Sequence, residues 1–472
     1  MTIQCGNLWS TVKLDDKNSL KLVRDALTYK VPGAEFTQAY KNHVWDGTRT
    51  LLEQTARDVY RFPTGLAERV AGILGCGWQP DPSFRPSNIR RAFPNAKFSM
   101  RPYQTDAVLK MLHRGNARGG GILQAATGSG KTMMAAKLIA SVGRRTLVLT
   151  HTKDLLRQTA DELSRWLGEP VGIYGGGKKQ TDCFVTVATV QSLQRGGDEL
   201  LRGTDFAIFD EAHHVAAQTI YDLLFKMPMV STVVGLSASP WRDDGLDLLL
   251  EAALGPVRCR IRATDLIEQG WLVPPTITVH KIPVERELQK IRGSVSDYQG
   301  LYQMLLTNHH GRHEYIANLA REHVREGRVV LVLVRSLDHG HALRQYLPGA
   351  IFMEGDTPAA ERKTILDNVR EKRQTVLIAT SLADEGVDLP SVDVVILAGA
   401  GASTTRALQR IGRALRPYPG KVRAYIDEIV DMHPSFQKQW YERKAMYATE
   451  PAFDVREMIV NVGPRIATVS TS

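Results

Sequence analysis

Residues 207–215, "AIFDEAHHV", place Asp210, Glu211, His213 and His214 within five positions. All three residue types can ligate a metal, and carboxylates and imidazoles also run acid–base chemistry. Upstream, "AATGSGKT" (125–132) follows an apolar run and opens a helical one. In that context a glycine-rich loop has clear chemistry. Gly128 and Gly130 let the backbone N–H groups of the Thr127–Ser129 turn curl around phosphates. The helix N-terminus adds its dipole, Lys131 reaches the β/γ-phosphates and Thr132 offers a hydroxyl to Mg²⁺. The strict pattern asks for glycine at position 125, where this chain has Ala.

The loop gives the acidic cluster a partner. "AIFD" reads as an apolar strand ending in Asp210, which follows Lys131 by 79 residues (210 minus 131). A carboxylate at the carboxyl end of such a strand can meet Mg²⁺ beside the phosphates, and Glu211 is then placed to polarise the attacking water. The histidines lack HxxxH or HExxH spacing, which argues against an independent transition-metal site.

The elements that position these residues follow an alternating rhythm. From about residue 96, buried-strand runs such as "TLVLT", "FVTVATV" and "TVVGLSA" alternate with helical stretches such as "KTMMAAKLIASV". The rhythm breaks near 270–310 and restarts with "VVLVLV", "TVLIAT" and "VDVVILA". Continuous apolar strands separated by helices imply parallel sheets covered on both faces. The expected fold class is α/β, with two tandem parallel-sheet domains and a small α+β N-terminal domain; the family resemblance set out below implies that the two are RecA-like and the third an accessory domain. The expected boundaries are 1–95 (accessory, nucleic-acid-binding), 96–270 (first RecA-like domain), 271–310 (linker), 311–450 (second) and 451–472 (tail).

Composition bounds the rest. The 472 residues are too many for one ordinary domain. No run approaches the 18 apolar residues of a membrane span, and the first residues lack the apolar core of a signal peptide. The four cysteines, scattered without CxxC spacing, read as free thiols in a cytosol, bacterial or phage-infected. The net charge of +10 favours a polyanionic partner, and residues 1–100 hold 14 Lys+Arg against 9 Asp+Glu. "NHHGRHE" (308–314) and "DHGH" (338–341) have no partner cluster in the sequence and read as surface imidazoles. Trp45, Phe62 and Tyr302 read as packing residues.

The ordered motifs over roughly 100–430 resemble those of the superfamily 2 helicases, with "DEAH" at 210–213 as the acidic box. "RPYQ" (101–104) resembles their adenine-sensing element, which implies Arg101 and Gln104 at the base. "LTHTKDLLRQ" and "VATVQSL" resemble backbone-contacting motifs and imply nucleic-acid contacts at His151, Lys153 and Thr189. Ser336 and Thr380 are the corresponding candidates further on. "GLSASPWR" resembles the motif coupling hydrolysis to strand binding, through Ser237 and Ser239, with His213 as relay. "IATSLADEGVDLP" implies nucleotide contacts at Gly386 and Asp388, and "QRIGRALR" implies Gln409, Arg413 and Arg416 at the γ-phosphate. On a helix those last three fall at i, i+4 and i+7, which is one face. The N-terminal "AYKNHVWDGTRTLL" and "RFPTGLAERV" are similar to the accessory domain of the phage UvsW-type branched-DNA helicases, and Lys41, Arg49 and Arg61 are its phosphate candidates.

The resemblance implies an ATP- and Mg²⁺-dependent DNA helicase or translocase, 3′→5′ in polarity. It would work as a monomer on single-stranded, forked or branched DNA, in repair, recombination or replication, with an RNA–DNA hybrid as a further substrate. Two alternatives stay open. One is the translocase subunit of a restriction or defence system, and the other is an ATP-gated strand-annealing protein.

Overall fold

The computed structural model describes residues 1–82, 89–113, 117, 119–212, 215, 217–238, 246–284, 298–380, 389–399, 411–412 and 414–463. Two compact units emerge: Met1–Ala125 with Ser129–Ile261, and Ala126–Gly128 with Arg262–Ser472.

The first unit begins with seven short strands: β1 (Thr2–Cys5), β2 (Trp9–Lys13), β3 (Thr28–Lys30), β4 (Thr48–Thr50), β5 (Glu53–Ala56), β6 (Val59–Pro63) and β7 (Gly77–Pro80). Five of them form a sheet in the order β5-β6-β2-β1-β7, and β3 and β4 form a separate ribbon. Alternation along β2 and β6 sends Val12, Tyr60 and Phe62 inward, against Val23 of helix Lys17–Ala26 and Val70 of helix Ala67–Leu74. Asp16 starts the first of these helices by accepting hydrogen bonds from the Asn18 and Ser19 N–H groups.

This accessory fold is fused to the sheet that follows. Gly65 lies so close to helix Asp247–Leu254 that a Cβ there would sit 2.3 Å from the Glu251 carbonyl oxygen. Ala252 of that helix is buried in the accessory core. Two ion pairs, Arg69–Glu251 and Arg258–Glu68, close the seam. The accessory residues and the first parallel-sheet domain are therefore one compact unit, although the sequence pattern divides them near residue 95.

The second sheet of this unit has eight strands: β8 (Gly119–Ala125), β9 (Thr146–Thr150), β10 (Gly172–Gly175), β11 (Lys178–Lys179), β12 (Val185–Thr189), β13 (Phe206–Phe209), β14 (Thr232–Ser237) and β15 (Val257–Ile261). Their order is β11-β10-β12-β9-β13-β14-β8-β15. All neighbours are parallel except the β10–β11 hairpin. β9, β12, β13 and β14 are buried at every residue, as strands covered on both faces must be.

The second unit carries a seven-stranded, all-parallel sheet: β16 (Pro275–Ile282), β17 (Val330–Val334), β18 (Ile351–Met353), β19 (Val376–Thr380), β20 (Val394–Leu397), β21 (Ala424–Asp431) and β22 (Asp454–Ile459). The order is β18-β19-β17-β20-β21-β16-β22. Two expectations change here. The span 271–310, read as a linker, supplies β16, which pairs with β21 over eight residues. The span 451–472, read as a tail, supplies β22. "PTITVHKI" is β-branched and six of its eight residues are buried, but the polar run after it masked the pattern.

The histidine-rich stretches are also corrected. His309, His313 and His339 are buried. His309 caps helix His310–Arg325 by accepting from the Arg312 N–H. Arg312, fully buried, binds Asp431 at 3.1 Å, donates to the Ala398 carbonyl at 2.6 Å and lies 3.4 Å from His339. Tyr302 lies 2.7 Å from the other nitrogen of His339. A buried arginine is stable only when its donors are satisfied, and this network does so. His341, by contrast, is exposed, as expected.

Burial holds His339 well below the ordinary histidine pKa, and the Arg312 and His313 charges add to the effect. Burial likewise lowers His313 to about 4, helped by Arg312 and His310 and opposed by its hydrogen bond to the Thr307 carbonyl. The unfolded chain therefore binds protons that the folded chain refuses, and stability falls as the pH is lowered through that window. Thermal unfolding followed across pH should show a midpoint that is level above about pH 6.5 and falls steadily toward pH 4. A His313→Asn variant should show a shallower fall. A wild-type midpoint independent of pH between 6.5 and 4 contradicts this assignment.

Candidate nucleotide site

Three neighbouring strands of the first unit deliver the reactive groups at their carboxyl ends. β8 leads into the phosphate loop, β14 ends at Ser237, and β13 ends just before Asp210. β14 lies between the other two, with Ser237 in register with Gln124 and Gly235 with Phe209. Two strand spacings of about 4.8 Å separate loop and acidic box. Lys131 spans that gap: its Nζ lies 3.0 Å from Glu211 Oε1 and 3.4 Å from the Ala125 carbonyl. The pairing expected from two motifs 79 residues apart is thus a direct contact.

Asp210 is fixed through its backbone N–H, which donates to the Leu149 carbonyl at 2.9 Å. Its carboxylate accepts from the Glu211 N–H at 3.0 Å. Burial, and after it the Glu211 charge, raise the Asp210 pKa to about 7, against the opposing effects of Lys131, the Glu211 N–H hydrogen bond and His151. Such a carboxylate is one that a cation would ionise. Glu211 has φ +46°, a left-handed backbone that costs a non-glycine residue on the order of 1–3 kcal/mol. That conformation turns the chain just past the strand and puts adjacent carboxylates to separate uses.

The loop itself is braced from below. Gln104 is buried, its Nε2 donating to the Ser129 carbonyl at 2.8 Å and its Oε1 accepting from the Arg101 N–H at 2.9 Å. The Tyr103 hydroxyl donates to the same carbonyl at 2.9 Å. Gly130, at φ +82°, admits this brace, because a Cβ there would stand 2.4 Å from Gln104 Nε2. Gln104, expected at the adenine base, uses one donor and its acceptor oxygen on the loop and on Arg101. Tyr103, whose role the motif reading missed, shares the work, and Arg101 donates to its hydroxyl at 3.2 Å.

The residues present fit a phosphate and Mg²⁺. Ser129 Oγ, within the phosphate loop, is buried with no hydrogen-bond partner among the described residues. Thr132 and Asp210 are hard oxygen donors of the kind Mg²⁺ prefers. Among the described residues no three His, Cys, Asp or Glu side chains converge on a metal. Thr132 and Asp210 would therefore hold the ion together with phosphate oxygens. Thr127 and Gly128 belong to the second unit by contact, and Arg416 is half-buried there. His213, Ser239, Gly386, Asp388, Gln409 and Arg413 lie outside the described residues.

The expected nucleic-acid contacts divide. Thr189 ends β12 in register with Thr150, the residue before His151, and its side chain caps helix Val190–Arg195. In the second unit, Thr380 ends β19 in register with Val334. Ser336, two residues on, caps helix Leu337–Tyr346 by accepting from the His339 N–H. Each unit thus sets two such residues at adjacent strand ends. Lys153 is exposed at the start of its helix, and Lys41 and Arg49 are exposed in the accessory fold. Two candidates have other surroundings as well. The His151 ring nitrogens are shielded from solvent, and its ring acts electrostatically on Asp210. Arg61 pairs with Glu53 at 2.6 Å and lies over the Trp9 ring at 4.6 Å, which occupies it within the sheet. Phe62 is core and Trp45 half-buried.

Residues 97–242 match the family described as type III restriction enzyme, res subunit, and residues 312–418 match the helicase conserved C-terminal domain. Over 456 residues the chain is 26% identical to "putative helicase 22" of a Sulfolobus islandicus filamentous virus, covering 90% of this chain and 79% of that one. It spans about half the length (51% and 52%) of two haloarchaeal relatives named putative DNA 3′-5′ helicase Rad25. Saccharomyces cerevisiae Dbp5, solved with RNA and ADP BeF3, shares the fold over 76% of this chain and 89% of its own, at 15% identity and a TM-score of 0.53. UvsW of bacteriophage T4 aligns with 98% of this chain and 99% of its own, at 20% identity and a TM-score of 0.46. No helix among the described residues is long and apolar enough to cross a membrane.

Two variants separate the roles in the site. Glu211→Gln should retain ATP binding while lowering kcat by about 10²–10⁴-fold, the range for a positioned general base. Gln104→Ala should weaken ATP and GTP binding alike, by about tenfold each, because it removes a brace from the loop and the acceptor of the Arg101 N–H, leaving Tyr103 alone on the Ser129 carbonyl. A loss confined to ATP would instead place Gln104 at the base.

Proposed function

We propose that this chain, which belongs to the superfamily 2 helicases, is an ATP-driven motor that moves 3′→5′ along DNA and opens or branch-migrates forked and branched substrates. The observation that carries the reading is the Lys131–Glu211 contact at the carboxyl ends of parallel strands, beside Asp210 and the unpartnered Ser129 hydroxyl. Bound Mg²⁺ would neutralise phosphate charge and polarise the γ-phosphate. The protein does the rest. Backbone N–H groups of residues 127–132 cradle the phosphates. Lys131 balances their charge. Glu211 exchanges its lysine partner for water, orients that water and takes its proton. In this proposal Gln409, Arg413 and Arg416 complete the charge around the transferred phosphoryl group, with Gly386 and Asp388 beside the nucleotide. Ser237, Ser239 and His213 relay the nucleotide state to the strand.

The paired strand ends supply a track. Lys153 and Thr189 in the first unit, and Ser336 and Thr380 in the second, are the proposed backbone contacts. Contacts of this kind hold phosphates without reading bases, which suits a motor and admits an RNA–DNA hybrid. The 3′→5′ direction is supported by the family resemblance and by the names of the Rad25 relatives. The accessory fold, through Lys41 and Arg49, supports a forked or branched substrate. A second reading, the translocase of a restriction system, is favoured by the description of the family matched at residues 97–242.

A Lys131→Ala variant tests the motor. It should abolish ATP-dependent unwinding of a forked duplex while leaving the chain folded and able to bind the fork. Unwinding at the wild-type rate would refute the proposal. ATP-driven displacement of a third strand from blunt duplex, without fork unwinding, would favour the restriction-type translocase.

A further inference from the structure

The β3–β4 ribbon carries a feature that neither the nucleotide site nor the core uses. Its strands pair Thr28 with Thr50 and Lys30 with Thr48. The pairing extends through the Val31 N–H to the Gly47 carbonyl and the Leu51 N–H to the Leu27 carbonyl. At its end, residues 32–46 fold into a small lobe of one 3₁₀ turn (Ala34–Phe36) and one helical turn (Gln38–Lys41). The lobe is locally braced. Trp45 Nε1 donates to the Thr48 carbonyl at 2.7 Å, Asp46 accepts from the Thr48 N–H and hydroxyl, and Thr37 caps the Tyr40 N–H. Ala34 is buried beneath it.

This ordered lobe holds three large apolar side chains in water. Phe36 is 76% exposed, Tyr40 40% and Val44 80%. Scattered singly such residues need no explanation, but three within nine positions of a folded lobe mark a contact surface. Its rim identifies the partner. Lys30, Lys41, Arg49 and His43 are exposed around it. Of the two carboxylates, Glu35 and Asp46, the second is already engaged by Thr48. Aromatic rings set among cations suit unpaired bases, which stack on the rings while their phosphates meet the cations. Duplex DNA offers no free base faces to stack. A protein partner would not call for the cationic surplus in residues 1–100, where 14 Lys+Arg stand against 9 Asp+Glu.

We propose that the 32–46 lobe is a stacking platform for single-stranded nucleic acid, with Phe36 and Tyr40 against bases, Val44 beside them, and Lys41 and Arg49 on phosphates. The proposal deepens the motor reading and rests on it only for the origin of the single strand.

Equilibrium binding of the full chain to labelled oligo-dT and to blunt duplex, over a range of salt, tests it. Phe36→Ala and Val44→Ser alter side chains that are mostly in water, so the fold should survive. Phe36→Ala should weaken oligo-dT binding about tenfold, leave duplex binding unchanged and leave the salt slope unchanged. Val44→Ser should act in the same sense more weakly. Lys41→Ala should instead lower the salt slope by about one ion, for strand and duplex alike. Wild-type oligo-dT affinity in Phe36→Ala, or an equal loss on duplex, overturns the platform. Loss of self-association without loss of strand binding overturns it in favour of a protein contact. If Phe36→Ala weakens strand binding but no nucleic acid stimulates ATP hydrolysis, the platform stands and the motor reading falls.

Discussion

The contact between Lys131 and Glu211 is the constraint on which the rest depends. A lysine that must reach phosphates and a carboxylate that must reach water are held 3.0 Å apart, although their strands are not neighbours. Both side chains are largely shielded from solvent, and each charge stabilises the other. A parallel sheet achieves this because all its strands end at the same edge. β14 sets the spacing, the Leu149 carbonyl fixes Asp210, and the Gln104–Tyr103 brace fixes the loop. Burial raises Asp210 to about 7, so the site is tuned to receive a cation rather than to stand alone.

The site was legible in the sequence to the degree that its chemistry demands particular residues at particular spacings. A phosphate loop needs glycines and a lysine ahead of a helix, and an acidic box needs a carboxylate at the end of an apolar strand. Both were readable, and the chain brings them together. Gln104 was legible as a residue of the site but not in its use. Motif identity says that a glutamine belongs there, whereas its two hydrogen bonds show that it holds the loop. His151, a nucleic-acid candidate by motif, follows β9, whose neighbour β13 leads into Asp210. Only the register of two strands distant in sequence could reveal that.

The fold was legible where strands are long and apolar, and hidden where polar residues are buried in networks. Arg312, His313 and His339 look like surface residues by type, but each is paired by groups 27 or more residues away or by a turn that the sequence does not announce. β16 and β22 were missed because one precedes a polar stretch and the other is a largely exposed edge strand. The accessory fold illustrates the same point in reverse. Trp45 and Phe62 were read as packing, and Phe62 does pack; Phe36, Tyr40 and Val44, which the pattern did not single out, are exposed on a lobe held in place by its own hydrogen bonds.

If the groups at the strand ends of each unit form the track of a motor, ATP hydrolysis answers to nucleic acid. The direct test is the steady-state ATPase rate of the wild-type chain with single strands, blunt duplex, forks, four-way junctions and RNA–DNA hybrids. The account predicts clear stimulation, strongest with forks and junctions. A rate unchanged by every one of these would contradict it.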